Sequence, residues 1–95
     1  MNKFTLLLFY LVAALGFAQQ SLVSGKVLDQ ATGETLLGVT VQNITSQTAT
    51  TTDIDGLFTI AATKGDVLRF SYIGTVTKEF ALGDETSITV MLEED

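Results

Sequence analysis

Apolar and polar side chains alternate with a period of two from Leu22 onward, the pattern of β-strands with one buried face. No stretch of this part keeps a helical period for long. The alternation predicts that Phe70 and Tyr72 point inward, as core aromatics rather than surface recognition groups. The apolar positions that share a strand face are Val23 with Val27, Val39 with Val41, Phe58 with Ile60, Leu68 with Phe70 and Tyr72, and Ile88 with Val90 and Leu92.

Turn-forming residues divide these runs at short intervals. They lie at residues 31–34, 53–56, 64–66, 74 and 83–84. Six or seven short strands with this spacing predict an all-β fold, a small antiparallel sandwich or barrel. The polar, Thr-rich segment 43–52 fits a loop, an edge strand or both.

The first 18 residues have the three parts of a secretory signal peptide. Lys3 gives a positive start, residues 4–15 are an apolar run, and Gly16 and Ala18 are small residues before a cut. The apolar stretch 4–18 is shorter than the roughly 20 residues that a spanning helix needs. We therefore expect a signal-peptide helix at 1–18, one domain at 19–95 and no membrane span in the mature chain.

Composition narrows the choice of partners. The chain has 5 basic and 11 acidic residues, and removal of Lys3 leaves 4 against 11, a net charge of −7. Such a balance disfavours nucleic acid and anionic membrane surfaces. With no Cys in the chain, neither a disulfide nor a thiolate metal site can stabilise it.

Catalytic groups are scarce in the sequence. There is no His, so Ser24, Ser46, Ser71 and Ser87 have no imidazole base, and none lies in a nucleophile motif. The glycines do not form a phosphate loop before a helix. We expect no enzymatic activity and no cofactor.

Asp53 and Asp55, just before Gly56, are the best candidates for a cation site. Compared with an EF-hand loop, the Gly comes too early and the distal Glu is absent. The alternative is a turn in which Asp side chains cap backbone amides and Gly56 takes a positive φ. We favour the turn and expect no metal. The sequence around Asn43 also matches a glycosylation sequon, a short motif that often arises by chance.

Four strings in order resemble a known domain: VSGKVLDQATGETLLGVTVQN, TTTDIDGLFTI, GDVLRFSYIGTVTKEF and SITVMLEED. They resemble the carboxypeptidase-regulatory-like domain, as found at the N-terminus of SusC/RagA-like TonB-dependent outer-membrane receptors of Bacteroidota. The resemblance covers nearly all of residues 19–95. Thr35 and Leu37 depart from it where Pro is common, and Thr75 departs where an aromatic residue is common.

The resemblance implies a transthyretin-like or immunoglobulin-like sandwich without catalytic residues. It also implies a place on the periplasmic side of the outer membrane, ahead of a TonB-contacting segment, a plug and a barrel. The expected partners are that plug and barrel, with periplasmic proteins as further candidates. The structural residues that it singles out are Gly38 before the second main strand, Asp55 and Gly56 in a hairpin turn, Phe58 as a buried anchor, Phe70 and Tyr72 as strand aromatics, and Gly74 at the reversal.

Two main functions follow from these expectations. The first is a non-catalytic N-terminal accessory domain of a receptor for nutrient or glycan uptake, with the chain either complete or a fragment of that receptor. The alternative is a free-standing secreted module that binds a protein or carbohydrate. A weaker third function is the regulatory domain of a secreted peptidase.

Overall fold

The structure, a computed structural model, describes residues 21–95. This range contains seven strands and no helix. The strands are β1 Ser21–Asp29, β2 Thr40–Asn43, β3 Thr48–Thr51, β4 Leu57–Ala62, β5 Val67–Ser71, β6 Lys78–Ala81 and β7 Ser87–Leu92. The predicted signal peptide, residues 1–18, lies outside the described residues, as does Gln19. Among residues 21–95, no helix is long and apolar enough to span a membrane.

Two sheets face each other, which confirms the predicted small β-sandwich. One sheet has three strands in the order β4-β1-β7, and the other has four in the order β3-β2-β5-β6. All strand pairs are antiparallel except β1 and β7, which run parallel from Ser24↔Ser87 to Asp29↔Leu92. This parallel pair could not be predicted from the sequence, because alternation shows which face is buried but not the direction of the neighbouring strand.

The core lies between the sheets and is built by the period-two positions. Burial of such side chains contributes about 1.5–3 kcal/mol each. Phe58 of β4 meets Phe70 of β5 edge to face across the sandwich, with ring centroids 5.6 Å apart. Tyr72 lies just beyond β5, is half-buried and packs against the core. The buried apolar residues are Val23, Val27, Val39, Val41, Phe58, Ile60, Ala62, Leu68, Phe70, Leu82, Ile88, Val90 and Leu92.

The ambiguous segment 43–52 contains both predicted features. A turn at residues 44–47 joins β2 to β3, and Gln47 takes a positive φ of 62° there. β3 then forms one edge of the four-stranded sheet. Thr side chains suit this edge, since β-branched polar residues pack well on a solvated pleated surface.

Candidate functional site

The acidic turn before β4 connects the two sheets, since β3 and β4 belong to different sheets, so the expectation of a hairpin turn at Asp55 and Gly56 is wrong. The turn is held together by Asp53. Its Oδ1 accepts hydrogen bonds from the backbone N–H groups of Asp55 and Leu57, both at 2.9 Å. The backbone N–H of Gly56 donates to the carbonyl of Asp53, also at 2.9 Å. These bonds are those of an Asp-capped turn. Asp55 is exposed. Within residues 21–95, no three side chains of the metal-ligating types lie close enough together to hold a metal ion.

Gly56 fits this turn against β1. Its φ is 74°, a conformation that glycine adopts without strain. A Cβ at this position would lie 2.7 Å from the carbonyl oxygen of Val27. The N–H of Val27 donates to the carbonyl of Gly56 at 2.8 Å, so the turn is bonded directly to the middle strand of its sheet.

The aromatic pair depends on a glycine that sequence reasoning passed over. Phe58 lies over Gly25 of β1, where a Cβ would come within 2.5 Å of the ring Cζ and 2.6 Å of the carbonyl oxygen of Ile88. A glycine inside a strand often marks such a close approach. That signal was present in the sequence, within the alternation of Val23 and Val27.

Gly38 and Gly74 both take positive φ, 83° and 81°, in the loops before β2 and after β5. The N–H of Gly38 donates to the carbonyl of Thr52 at 3.1 Å. At the second loop, the carbonyl of Tyr72 accepts from the N–H of Thr75 at 3.1 Å and from its Oγ1 at 2.9 Å. The turn at residues 72–75 is therefore closed by hydrogen bonds from Thr75, the position that departs from the family pattern.

Asn43 is a buried polar hub, with 0% of its surface exposed. Its Nδ2 donates to the carbonyl of Ala61 at 3.2 Å and to Oδ2 of Asp66 at 2.8 Å. Its Oδ1 accepts from the N–H groups of Thr45 and Ser46, each at 3.1 Å. These bonds join the end of β2 to β4 and to the turn before β5. In the folded chain, the sequon asparagine has no free amide for glycosylation.

Thr52 is a second buried polar residue that the sequence analysis did not single out. Its Oγ1 donates to the carbonyl of Leu36 at 2.6 Å and accepts from the N–H of Val39 at 3.0 Å. Buried polar groups are costly unless paired in this way. Thr52 ends a run of three Thr residues, 50–52, so nothing in the sequence distinguishes it from its neighbours.

The candidate serines are not brought to a base. Ser24 and Ser87 lie opposite each other on the parallel pair β1 and β7, and Ser24 Oγ contacts the carbonyl of Thr86 at 3.5 Å. Ser71 ends β5, and Ser46 Oγ lies 3.1 Å from Thr48 Oγ1. Nucleophilic catalysis needs a general base beside the hydroxyl, and the surroundings of these serines supply none.

One end of the sandwich carries most of the exposed aliphatic surface. We term it the exit end: the loops at 30–39, 52–56 and 72–77, residues 93–95 and the strand residues that adjoin them. Among residues 21–95, eight large apolar side chains are exposed, and six of them lie at this end. They are Leu37, Ile54, Leu57, Ile73, Val76 and Met91.

Acidic residues gather at the same end. Of the 11 Asp and Glu residues in the sequence, seven lie at the exit end. They are Asp29, Glu34, Asp53, Asp55, Glu93, Glu94 and Asp95. The exit end is therefore an aliphatic surface with an acidic surround.

Comparison with known proteins extends these observations. A family model described as CarboxypepD_reg-like domain matches residues 23–95. The chain is 45% identical over 74 residues to TonB-dependent receptor P26 of Formosa agariphila, covering 78% of the chain and 7% of that receptor. It is 36% identical over 86 residues to TonB-dependent receptor P3 of the same organism, covering 90% of the chain and 9% of the receptor.

A third relative comes from another organism. The chain is 38% identical over 79 residues to TonB-dependent receptor SusC of Bacteroides thetaiotaomicron, covering 83% of the chain and 8% of that receptor. The chain thus spans less than a tenth of the length of each of these three relatives.

Proposed function

Because the chain belongs to the CarboxypepD_reg-like domain family, we propose that it supplies a non-catalytic N-terminal accessory domain of a TonB-dependent outer-membrane receptor for nutrient or glycan uptake. The observation that carries this proposal is the similarity of the whole β-sandwich to part of three TonB-dependent receptors. A sandwich fold alone would not suffice, since folds of this kind host many unrelated functions.

The proposed arrangement has a signal peptide at 1–18 and the accessory domain at 19–95, on the periplasmic side of the outer membrane. Its partners are the plug and barrel of the receptor. The positive start, apolar run and small residues before Gln19 support export.

The polar side chains that hold the domain together are engaged in structural hydrogen bonds, which supports a scaffold role. Asp53 uses its carboxylate oxygen to hold a turn, and Asn43 uses its amide to join two strands and a turn. Phe58 and Phe70 fill the core. These contacts stabilise a scaffold whose remaining chemistry lies on its surface.

A domain swap in SusC tests the proposal. The segment of SusC that matches this chain is deleted or replaced by residues 19–95, and uptake of SusC's own substrate is measured at equal receptor abundance. We expect deletion to reduce uptake and the replacement to restore it. A replacement carrying Phe58→Ala is the matched control, since an unstable domain should not restore uptake. Uptake that is unchanged by deletion would contradict an accessory role.

A further inference from the structure

We propose that the exit end is a docking surface for the receptor body, meaning the polypeptide that follows this domain in a receptor of the relatives' length. This inference rests on the proposed function, because it takes the domain to be part of such a receptor. It assigns a specific face and a specific chemistry to that contact.

Exposed aliphatic side chains are concentrated at the exit end. Ile73 is 91% exposed, Ile54 76% and Leu37 56%. The strand registers bring their loops together: Thr40 pairs with both Thr51 and Ser71, so the three loops that adjoin these residues lie side by side. Contiguous exposed apolar patches on a soluble domain mark interaction sites.

The middle of each outer sheet face is polar. On the four-stranded sheet, Arg69 donates from Nε and Nη2 to Oε2 of Glu79 at 2.9 and 2.8 Å, and Thr40 and Gln42 lie alongside on the partner strand. The outer face of the three-stranded sheet pairs Ser24 with Thr59 and Ser87 at its centre. The exposed apolar side chains of the three-stranded sheet lie near its ends: Leu57 and Met91 adjoin the exit end, and Leu22 lies at the opposite end. The exit end is therefore where most exposed apolar residues meet.

The acidic surround defines the chemistry of the occupant. Glu34, Asp55, Glu93 and Glu94 are exposed around the aliphatic side chains. A complementary surface would have an apolar centre and a rim of Lys and Arg, since opposite charges across an interface guide association and fix orientation. An anionic lipid surface would be repelled by the same carboxylates.

The course of the backbone favours the same polypeptide over a separate protein. The N–H of Val76 donates to the carbonyl of Glu93 at 2.8 Å, and the N–H of Asp95 donates to the carbonyl of Gly74 at 3.0 Å. Residue 95 therefore lies beside Gly74, the chain neighbour of Ile73, and any segment that follows it starts at the docking surface. A short tether raises the local concentration to about the millimolar range, so a small patch suffices for docking in the same chain.

Single cysteines test the proposal cleanly, because the chain has no Cys of its own. Ile73→Cys reports on the exit end, and Thr48→Cys, exposed at the other end of the sandwich, is the matched control. Maleimide labelling rates are compared between the chain alone and SusC carrying residues 19–95 in place of its matched segment, each against the same protein without the added cysteine.

We expect Ile73→Cys to label at least about tenfold more slowly in the receptor, equivalent to about 1.4 kcal/mol of docking, and Thr48→Cys to label at an unchanged rate. Adding Ile54→Asp, at an exposed position, should restore fast labelling of Ile73→Cys. If the swapped receptor does not assemble, the chain is instead mixed at high concentration with SusC lacking its matched segment, and the same protection is expected there.

Equal labelling of Ile73→Cys in both contexts would overturn the docking surface. Protection in the chain alone, accompanied by a dimer mass that Ile54→Asp abolishes, would also overturn it and make a second copy the occupant. The two proposals fail separately. If deletion reduces uptake but Ile73→Cys is labelled at the full rate in the receptor, the accessory function stands without this docking surface. If Ile73→Cys is protected but deletion leaves uptake unchanged, the docking surface stands without the accessory function.

Discussion

Gly25→Ala should destabilise the domain strongly, although the change adds only one methyl group to a strand. In an open strand position, Ala in place of Gly would stabilise by about 0.4–1 kcal/mol through the unfolded state. Here the new Cβ would lie 2.5 Å from Phe58 Cζ and 2.6 Å from the carbonyl oxygen of Ile88. The ring can shift only into a packed core, and the carbonyl belongs to the parallel pair of β1 and β7.

Overpacking of a core costs about 1–3 kcal/mol, and we expect a value at the upper end because one of the two contacts is backbone. A domain of this size has a total stability of about 4–11 kcal/mol, so the loss is a large part of it. Phe58→Leu removes the ring atoms that clash and should cost about 1–2 kcal/mol alone. The double variant should cost less than the sum by about 1 kcal/mol. The remaining cost of Gly25→Ala reports the contact with Ile88.

Urea unfolding followed by far-UV circular dichroism measures these free energies, since the chain has no Trp. Gly83→Ala is the matched control: its Cβ would meet only the side chain of Glu85, at 3.0 Å, and that side chain can move. It should change the unfolding free energy by less than about 0.5 kcal/mol. A Gly25→Ala variant as stable as Gly83→Ala, or strict additivity with Phe58→Leu, would refute the packing described for β1 and β4.

Three further predictions concern other residues. Asn43→Ala should lower the unfolding free energy by about 2–3 kcal/mol because it leaves buried partners unpaired. Gln42→Ala, on the solvated face, should change it by less than about 0.5 kcal/mol. Equal losses in the two variants would contradict the role of Asn43 as a buried hub. Asp53→Ala should lower the unfolding free energy by about 1–2 kcal/mol, as loss of a cap does, and Asp55→Ala should leave it almost unchanged. Calorimetric titration of the unsubstituted chain with calcium should detect no micromolar site. Calcium binding that Asp55→Ala abolishes would instead establish a metal site. N-terminal sequencing of exported protein should find Gln19 first, and an intact Met1 would exclude cleavage.

Much of the fold could be predicted from the chain because strand burial is a local pattern. Phe58, Phe70 and Val90 occupy period-two positions of their strands, and each lies in the core. Pairing direction is not local. Whether β7 lies parallel or antiparallel to β1 depends on how the intervening strands cross between sheets, and no residue of either strand encodes that choice.

The candidate site was harder to predict, for two physical reasons. Asp53 and Asp55 look equivalent in sequence, yet only Asp53 is placed where its oxygen reaches the amides of the turn. The exit end is assembled from loops that are distant along the chain, so Leu37, Ile54 and Ile73 read as unrelated apolar residues until the strand registers place their loops side by side. Surface clusters of this kind are properties of topology rather than of any one segment.

The central place of β1 has a consequence for how the domain folds. β1 is the first strand, but the N–H of Ser24 bonds to the carbonyl of Thr86, 62 positions later in the chain. Long loop closures of this kind must be completed before their contacts contribute, which slows folding relative to local hairpins. Until β7 is available, one edge of β1 has no neighbour, so the three-stranded sheet forms only after nearly the whole domain has been synthesised. Folding should therefore be slow and strongly cooperative, with no stable N-terminal half that could fold during synthesis.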